Sequence, residues 1–94
     1  MLLLWLSDAV HLRDITMTGR ERIEQAAKEN GWNSTAESVK TSLYWTEYAR
    51  LWIRYTPTGS IQWVEGTENT PFRNRLKCGV GQVISYLQQY KDTL

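Results

Sequence analysis

Apolar positions recur with two different periods along this chain. Thr18 to Asn30 is polar apart from a narrow stripe at Ile23, Ala26 and Ala27, the three-and-four spacing of one helix face. Thr18-Gly19-Arg20-Glu21 fits a capping box, in which the Thr hydroxyl and the Glu carboxylate satisfy N–H groups that the first turn leaves open. Gly31 stops this helix at the C′ position, with Trp32 placed to fold back over the last turn. The small alanines predict close approach to a sheet. Asn33 to Ser38 is polar and turn-like, and Val39 to Thr46, with Val39, Leu43, Tyr44 and Trp45 among β-prone threonines, reads as a strand.

Tyr48 to Thr56 carries the strongest period of two. It sets Ala49, Leu51, Ile53 and Tyr55 on one face and Tyr48, Arg50, Trp52 and Arg54 on the other. Pro57-Thr58-Gly59 supplies a turn, and Ser60 to Glu65 returns with Ile61, Trp63 and Val64 as the second arm of an antiparallel hairpin. After a loop at Gly66 to Thr70, Thr70-Pro71 reads as N-cap and first helical residue. The predicted helix carries Phe72, Leu76, Val80, Val83, Leu87 and Tyr90 as one stripe. Gly79 and Gly81 inside it would each cost roughly 1 kcal/mol against Ala, which points to close backbone packing there. The expected fold is α+β: a three-stranded antiparallel sheet with two helices on one face, in the order α-β-β-β-α after an apolar N-terminal leader.

Ninety-four residues make one domain with one modest core, expected over residues 17–94. Residues 1–16 stand apart. Met1 to Leu6 is nearly all apolar, but it lacks a basic leading region, is interrupted by Asp8 and is too short to span a bilayer. Met17, directly before the capping box, is a second candidate start, which would make residues 1–16 an upstream extension. The alternative is a leader that docks on the fold through Leu3, Trp5 and Leu6. Cys78 is the single cysteine and His11 the single histidine, so neither an intrachain disulfide nor a Cys/His zinc set is expected. A reducing, cytoplasmic setting follows, with no cofactor and no membrane.

The net charge of +1 hides an asymmetry. Residues 1–47 hold five Lys/Arg against seven Asp/Glu, and residues 48–94 hold six against three, so an anionic partner would meet the C-terminal half. Helices over one face of an antiparallel sheet leave the other face to solvent, which makes Tyr48, Arg50, Trp52 and Arg54 the first candidate binding group. The bland alternative is that a flanking segment covers this face while the arginine heads snorkel past it. A second basic group, Arg73, Arg75 and Lys77, falls in the first turns of the predicted last helix, where cations oppose the macrodipole and hint at an anion. No phosphate-binding glycine motif is present, and Glu47, Glu65 and Glu68 do not amount to a catalytic set, so an enzyme is not expected.

The run Glu21-Arg22-Ile23-Glu24-Gln25-Ala26-Ala27-Lys28-Glu29-Asn30-Gly31-Trp32, followed by Leu51-Trp52-Ile53-Arg54-Tyr55, Gly59-Ser60-Ile61 and a C-terminal amphipathic helix, resembles small uncharacterised accessory proteins of actinobacterial phages and prophages. The resemblance covers about residues 17–90; the leader, Trp45 and Trp63 depart from it. It implies a mobile-element setting in a bacterial cytoplasm and brings no activity or site residues with it. The residues themselves support a non-catalytic module that binds a protein through the aromatic and arginine face. The alternatives are a nucleic-acid-binding module, using the same face with Arg73, Arg75 and Lys77, and a homodimer formed by that face or by an edge strand.

Overall fold

The computed structural model describes residues 17–93, with side chains up to residue 89. The candidate start at Met1, the docking residues Leu3, Trp5 and Leu6, His11 and the Tyr90 side chain lie outside the described part. Two helices and four strands follow one another as α1 (Gly19–Glu29), β1 (Asn33–Ala36), β2 (Thr41–Trp45), β3 (Arg50–Tyr55), β4 (Ile61–Gly66) and α2 (Val80–Thr93). The strands form one antiparallel meander in the order β1-β2-β3-β4. The fold is α+β as expected, but the sheet has four strands instead of three.

The additional strand is β1. Its Asn33-Ser34-Thr35-Ala36 sequence has no apolar alternation because every residue is exposed. Pairing with β2, from Asn33 opposite Trp45 to Ala36 opposite Ser42, is what holds it extended.

Both ends of α1 are built as the residues predict. The Thr18 hydroxyl accepts from the Glu21 N–H at 3.2 Å, and Glu21 Oε1 accepts from the Thr18 N–H at 3.1 Å. Gly31 takes the left-handed conformation at φ 81°, Trp32 N donates to Ala27 O at 2.9 Å and Gly31 N to Lys28 O at 3.4 Å, a Schellman ending. Trp32 is thereby buried, and its indole N–H donates to Leu87 O at 3.2 Å, tying α1 to α2. The backbone of α1 approaches α2 more closely than it does the central strands, and Ala26 and Ala27 are buried in the cluster that both helices share with the sheet.

One side of the sheet supplies Tyr44, Leu51, Ile53, Tyr55, Ile61 and Val64 to a buried cluster, and the helices supply Ile23, Ala26, Ala27, Val83 and Leu87. The inward assignment of Ala49, Leu51, Ile53 and Tyr55 is therefore correct. Inside this cluster the Tyr44 and Tyr55 hydroxyls share a hydrogen bond of 2.8 Å. Arg20 reaches over the edge of the core, its guanidinium carbon 4.9 Å from the Tyr55 ring centroid, and donates to Val39 O at 2.7 Å and Ser42 Oγ at 3.2 Å. Among the described residues, no buried side-chain nitrogen or oxygen lacks a partner.

The largest correction concerns residues 71–79. They are not helical, and α2 begins only at Val80. The Thr70 hydroxyl donates to Thr67 O at 2.8 Å and accepts from Phe72 N at 3.2 Å, closing a turn where a helix N-cap was expected. The chain then runs back beside β4: Gly66 N donates to Phe72 O at 2.7 Å, and Val64 and Leu76 exchange two backbone bonds of 2.7 and 3.0 Å. Pairing with the β4 edge satisfies backbone groups that a helix would have satisfied internally. Phe72 is still buried, edge-on to Tyr86 with ring centroids 5.5 Å apart. Gly79 is the residue before α2, its N–H held by Gln82 Oε1 at 3.1 Å, and neither Gly79 nor Gly81 is approached closely by another group. The close packing expected around these two glycines is absent.

Candidate functional site

The sheet face turned away from the core is set out in cross-strand rows. Asn33, Trp45 and Arg50 form one row; Thr35, Leu43, Trp52 and Glu65 form the next; Thr41, Arg54 and Trp63 form the third. Leu43, Trp45, Trp52, Arg54, Trp63 and Glu65 are half-buried and Arg50 is exposed. Three of the five tryptophans of the chain thus lie on this face. The partly exposed apolar area that they present together carries more information than a buried apolar residue does.

Two local features produce this arrangement. In β2 the polarity is inverted: Ser42 and Tyr44 are buried and Leu43 and Trp45 face outward. Arg20 and Tyr55 make the inversion affordable by hydrogen-bonding the two inward hydroxyls. In β4 Tyr55 pairs with Ile61 and Arg54 with Trp63, leaving Gln62 as an extra residue. Ile61 and Trp63 are two positions apart and would share a face in a regular strand. The bulge separates them, sending Ile61 into the core and Trp63 to the outer face.

The polar groups on this face are already organised. Trp52 Nε1 donates to Glu37 Oε1 at 2.7 Å, and Arg54 Nε donates to Gln62 Oε1 at 3.2 Å. Arg75 places its guanidinium carbon 3.9 Å from the Trp63 ring centroid and an Nη2 3.7 Å from Glu65 Oε2. A shallow depression of about 240 Å³ is bounded by Thr35, Leu43, Trp45 and Arg50. It offers an apolar floor and one guanidinium at its rim.

Of the expected binding residues, Arg50, Trp52 and Arg54 are together as predicted, and Arg75 joins them. Tyr48 does not. The Thr46 hydroxyl accepts from the N–H groups of Tyr48 and Ala49 at 3.2 and 3.3 Å, so residues 46–49 form a turn and β3 starts at Arg50. Tyr48 is an exposed turn residue whose carbonyl accepts from Asn69 Nδ2 at 2.6 Å. Arg73, in the bend after Pro71, and Lys77 are exposed on the segment beside β4. With no helix there, the macrodipole argument for an anion at Arg73, Arg75 and Lys77 falls. Leu43, Trp45, Trp63, Glu37 and Glu65 complete the face but were not among the predicted site residues. Alternation with Leu43 could have placed Trp45; no sequence signal marks the bulge that places Trp63.

A second recess, of about 390 Å³, lies between the start of α1 and the β3–β4 turn, lined by Thr18, Arg20, Val39, Lys40 and residues 56–59. The contacts of Arg20 there are those that hold the core edge. Cys78 is half-buried, and burial pushes its thiol pKa up, away from the reactive thiolate. Among the described residues, no three His, Cys, Asp or Glu side chains are grouped to hold a metal ion, and no helix is long and apolar enough to cross a membrane.

No protein-family profile matches the chain, and comparison with curated proteins and with solved structures found no match.

Proposed function

We propose that this chain is a non-catalytic interaction module that binds a protein through Leu43, Trp45, Trp52 and Trp63, with Arg50, Arg54 and Arg75 around them. The observation that carries this reading is the inverted polarity of β2, where Leu43 and Trp45 face away from the core while the hydroxyl-bearing Ser42 and Tyr44 face into it. Trp and Arg are the side chains that most often dominate a binding interface, and here they are held by neighbours that limit the entropy lost on binding. A cytoplasmic phage or prophage accessory protein, acting on a host or phage protein, is the setting to which the sequence resemblance leads.

The nucleic-acid reading draws on the same arginines and is weaker on this geometry. Arg75 occupies a face of the Trp63 ring, where a base would stack, and Glu37 and Glu65 stand among the cations. The test compares wild type with the Arg50→Ala/Trp52→Ala variant, both confirmed folded by circular dichroism. A protein recovered from bacterial lysate by wild type should bind directly when purified, lose most of its affinity for the variant and hold on between roughly 50 and 200 mM salt. Single-stranded oligonucleotides should leave mobility and tryptophan fluorescence unchanged at low salt. Direct oligonucleotide binding with steep salt dependence would replace this reading with the second one.

A further inference from the structure

The two edges of the sheet are finished differently. At β4, residues 72–76 run alongside and take up its outward backbone groups. At β1, all four residues are exposed and none carries a charge or is proline, two of the devices that ordinarily blunt an edge; shortness is the one it has. The first charge after the strand is Glu37, whose carboxylate is turned over the sheet to Trp52.

The register shows which groups this edge offers. Glu37 N donates to Thr41 O at 2.9 Å, and antiparallel pairs alternate, so Thr35–Leu43 and Asn33–Trp45 are the other hydrogen-bonded pairs with β2. The N–H and C=O groups of Ser34 and Ala36 therefore point outward, and among the described residues no partner meets them.

We infer that β1 pairs antiparallel with β1 of a second copy of this chain, about a two-fold axis at Thr35. In that register Ser34 faces Ala36 of the second copy and Ala36 faces its Ser34, so the two outward pairs form about four backbone hydrogen bonds. Thr35 meets its own equivalent as a non-hydrogen-bonded pair, a favourable cross-strand match, and Asn33 faces Glu37, so no like charges are opposed. One-residue slips would lose this match, because they bring inward-bonded groups of β1 opposite outward ones. The axis runs perpendicular to the sheet. It therefore keeps both tryptophan faces on one side and joins the depressions beside the two Thr35 residues into one longer surface. Four residues per edge give a weak, concentration-dependent dimer, because the contact is small beside a standard interface. This inference stands apart from the proposed protein-binding role, since it rests on the backbone edge of β1 and not on the tryptophans of the outer face.

Light scattering and sedimentation of the full chain from micromolar to millimolar concentration read the result directly. The mass should climb from the 11.0 kDa monomer toward twice that value. Ser34→Pro/Ala36→Pro removes only outward N–H groups, which an edge strand tolerates, and should stay monomeric with an unchanged circular dichroism spectrum. Thr35→Cys in a Cys78→Ser background should cross-link on mild oxidation at least tenfold faster than Val39→Cys in the same background. The non-hydrogen-bonded pair sets the Thr35 Cα atoms about 4.5 Å apart, within disulfide reach. A wild type that stays monomeric throughout, a dimer that survives both prolines, or equal cross-linking at positions 35 and 39 would each overturn the inference. Should the proline variant fail to fold, the cross-linking comparison decides alone.

Discussion

Arg75 lies over Trp63, its guanidinium carbon 3.9 Å from the ring centroid, while its Nη2 is 3.7 Å from Glu65 Oε2. The Arg75 and Glu65 side chains are 56% and 41% exposed, so the ion pair itself adds little, and the contact with the ring is the more durable part. Arg75→Ala is expected to cost no more than about 1 kcal/mol of stability but to open the Trp63 ring to solvent. Acrylamide quenching of tryptophan emission should rise in Arg75→Ala relative to wild type. The same substitution made on a Trp63→Phe background should leave quenching unchanged. Arg75→Lys should shield the ring less than Arg75 does in this measurement, because a compact ammonium keeps the charge but covers less of the ring than a guanidinium.

The Arg75 contact also marks what could and could not be read from the chain. Helix α1, its two caps and the β3–β4 hairpin are local features, fixed by residues within a few positions of one another, and they stand where the residues predict. So do the inward Leu51 and Ile53 and the outward Arg50, Trp52 and Arg54. Apart from Tyr48, what escaped was decided beyond the reach of simple periodicity. Strand β1 is polar and exposed and exists through its pairing with β2. Residues 71–79 have the spacing of a helix, yet they pair with the edge of β4. Trp63 is delivered to the outer face by an extra residue that no periodicity announces. Tyr48 was lost to the Thr46 hydroxyl, which captures the two N–H groups that would have begun the strand two residues earlier.

Tyr44 and Tyr55 are completely buried and satisfy one another across 2.8 Å, so truncating one hydroxyl strands the other. Tyr55→Phe should destabilise the fold by about 1–3 kcal/mol, the cost of an unmet buried polar group. Tyr44→Phe is expected to cost at least as much, because Arg20 lies over the Tyr55 ring without reaching its hydroxyl, whereas the Tyr44 hydroxyl left by Tyr55→Phe still has Ser42 as a partner. The double variant should cost less than the sum of the two single changes, since it removes both halves of one bond. Urea unfolding of the four proteins measures this coupling, and strict additivity would show that the hydroxyls do not depend on each other.

The same pair sets an alkaline limit on stability. Burial pushes the Tyr55 hydroxyl pKa far up, with its Tyr44 neighbour adding to the shift, and burial likewise raises that of Tyr44. The folded state therefore retains protons that the unfolded chain releases near its ordinary tyrosine value of 10.0. The contribution is complete below that pH and is lost progressively as pH rises toward the higher folded values. Urea midpoints measured on either side of pH 10 should fall on the alkaline side. Tyr44→Phe/Tyr55→Phe should flatten that fall but not abolish it, because burial also raises the pKa of Tyr86. A midpoint as steep with pH in the double variant as in wild type would assign the alkaline loss to other groups.

Gly31 and Gly59 both adopt positive φ, at 81° and 88°, but they differ in what surrounds them. A Cβ on Gly31 would meet nothing within 4 Å, whereas one on Gly59 would lie 2.7 Å from Thr18 Cβ and 2.9 Å from Thr18 Oγ1. That second contact falls on the N-cap of α1, whose hydroxyl holds the Glu21 N–H, and the Gly59 carbonyl itself accepts from Arg20 N at 2.8 Å. Gly31→Ala should therefore cost only the left-handed backbone penalty, about 1–2 kcal/mol, and Gly31→Asn less. Gly59→Ala adds a displaced cap, worth about 1 kcal/mol further, and the strain of moving backbone at the β3–β4 turn. Thermal unfolding should rank the variants as Gly31→Asn, then Gly31→Ala, then Gly59→Ala, in order of increasing loss. Replacing Thr18 by Gly in the Gly59→Ala background should recover part of that loss by removing the clashing side chain, while the same change in wild type should lower stability through the weakened cap.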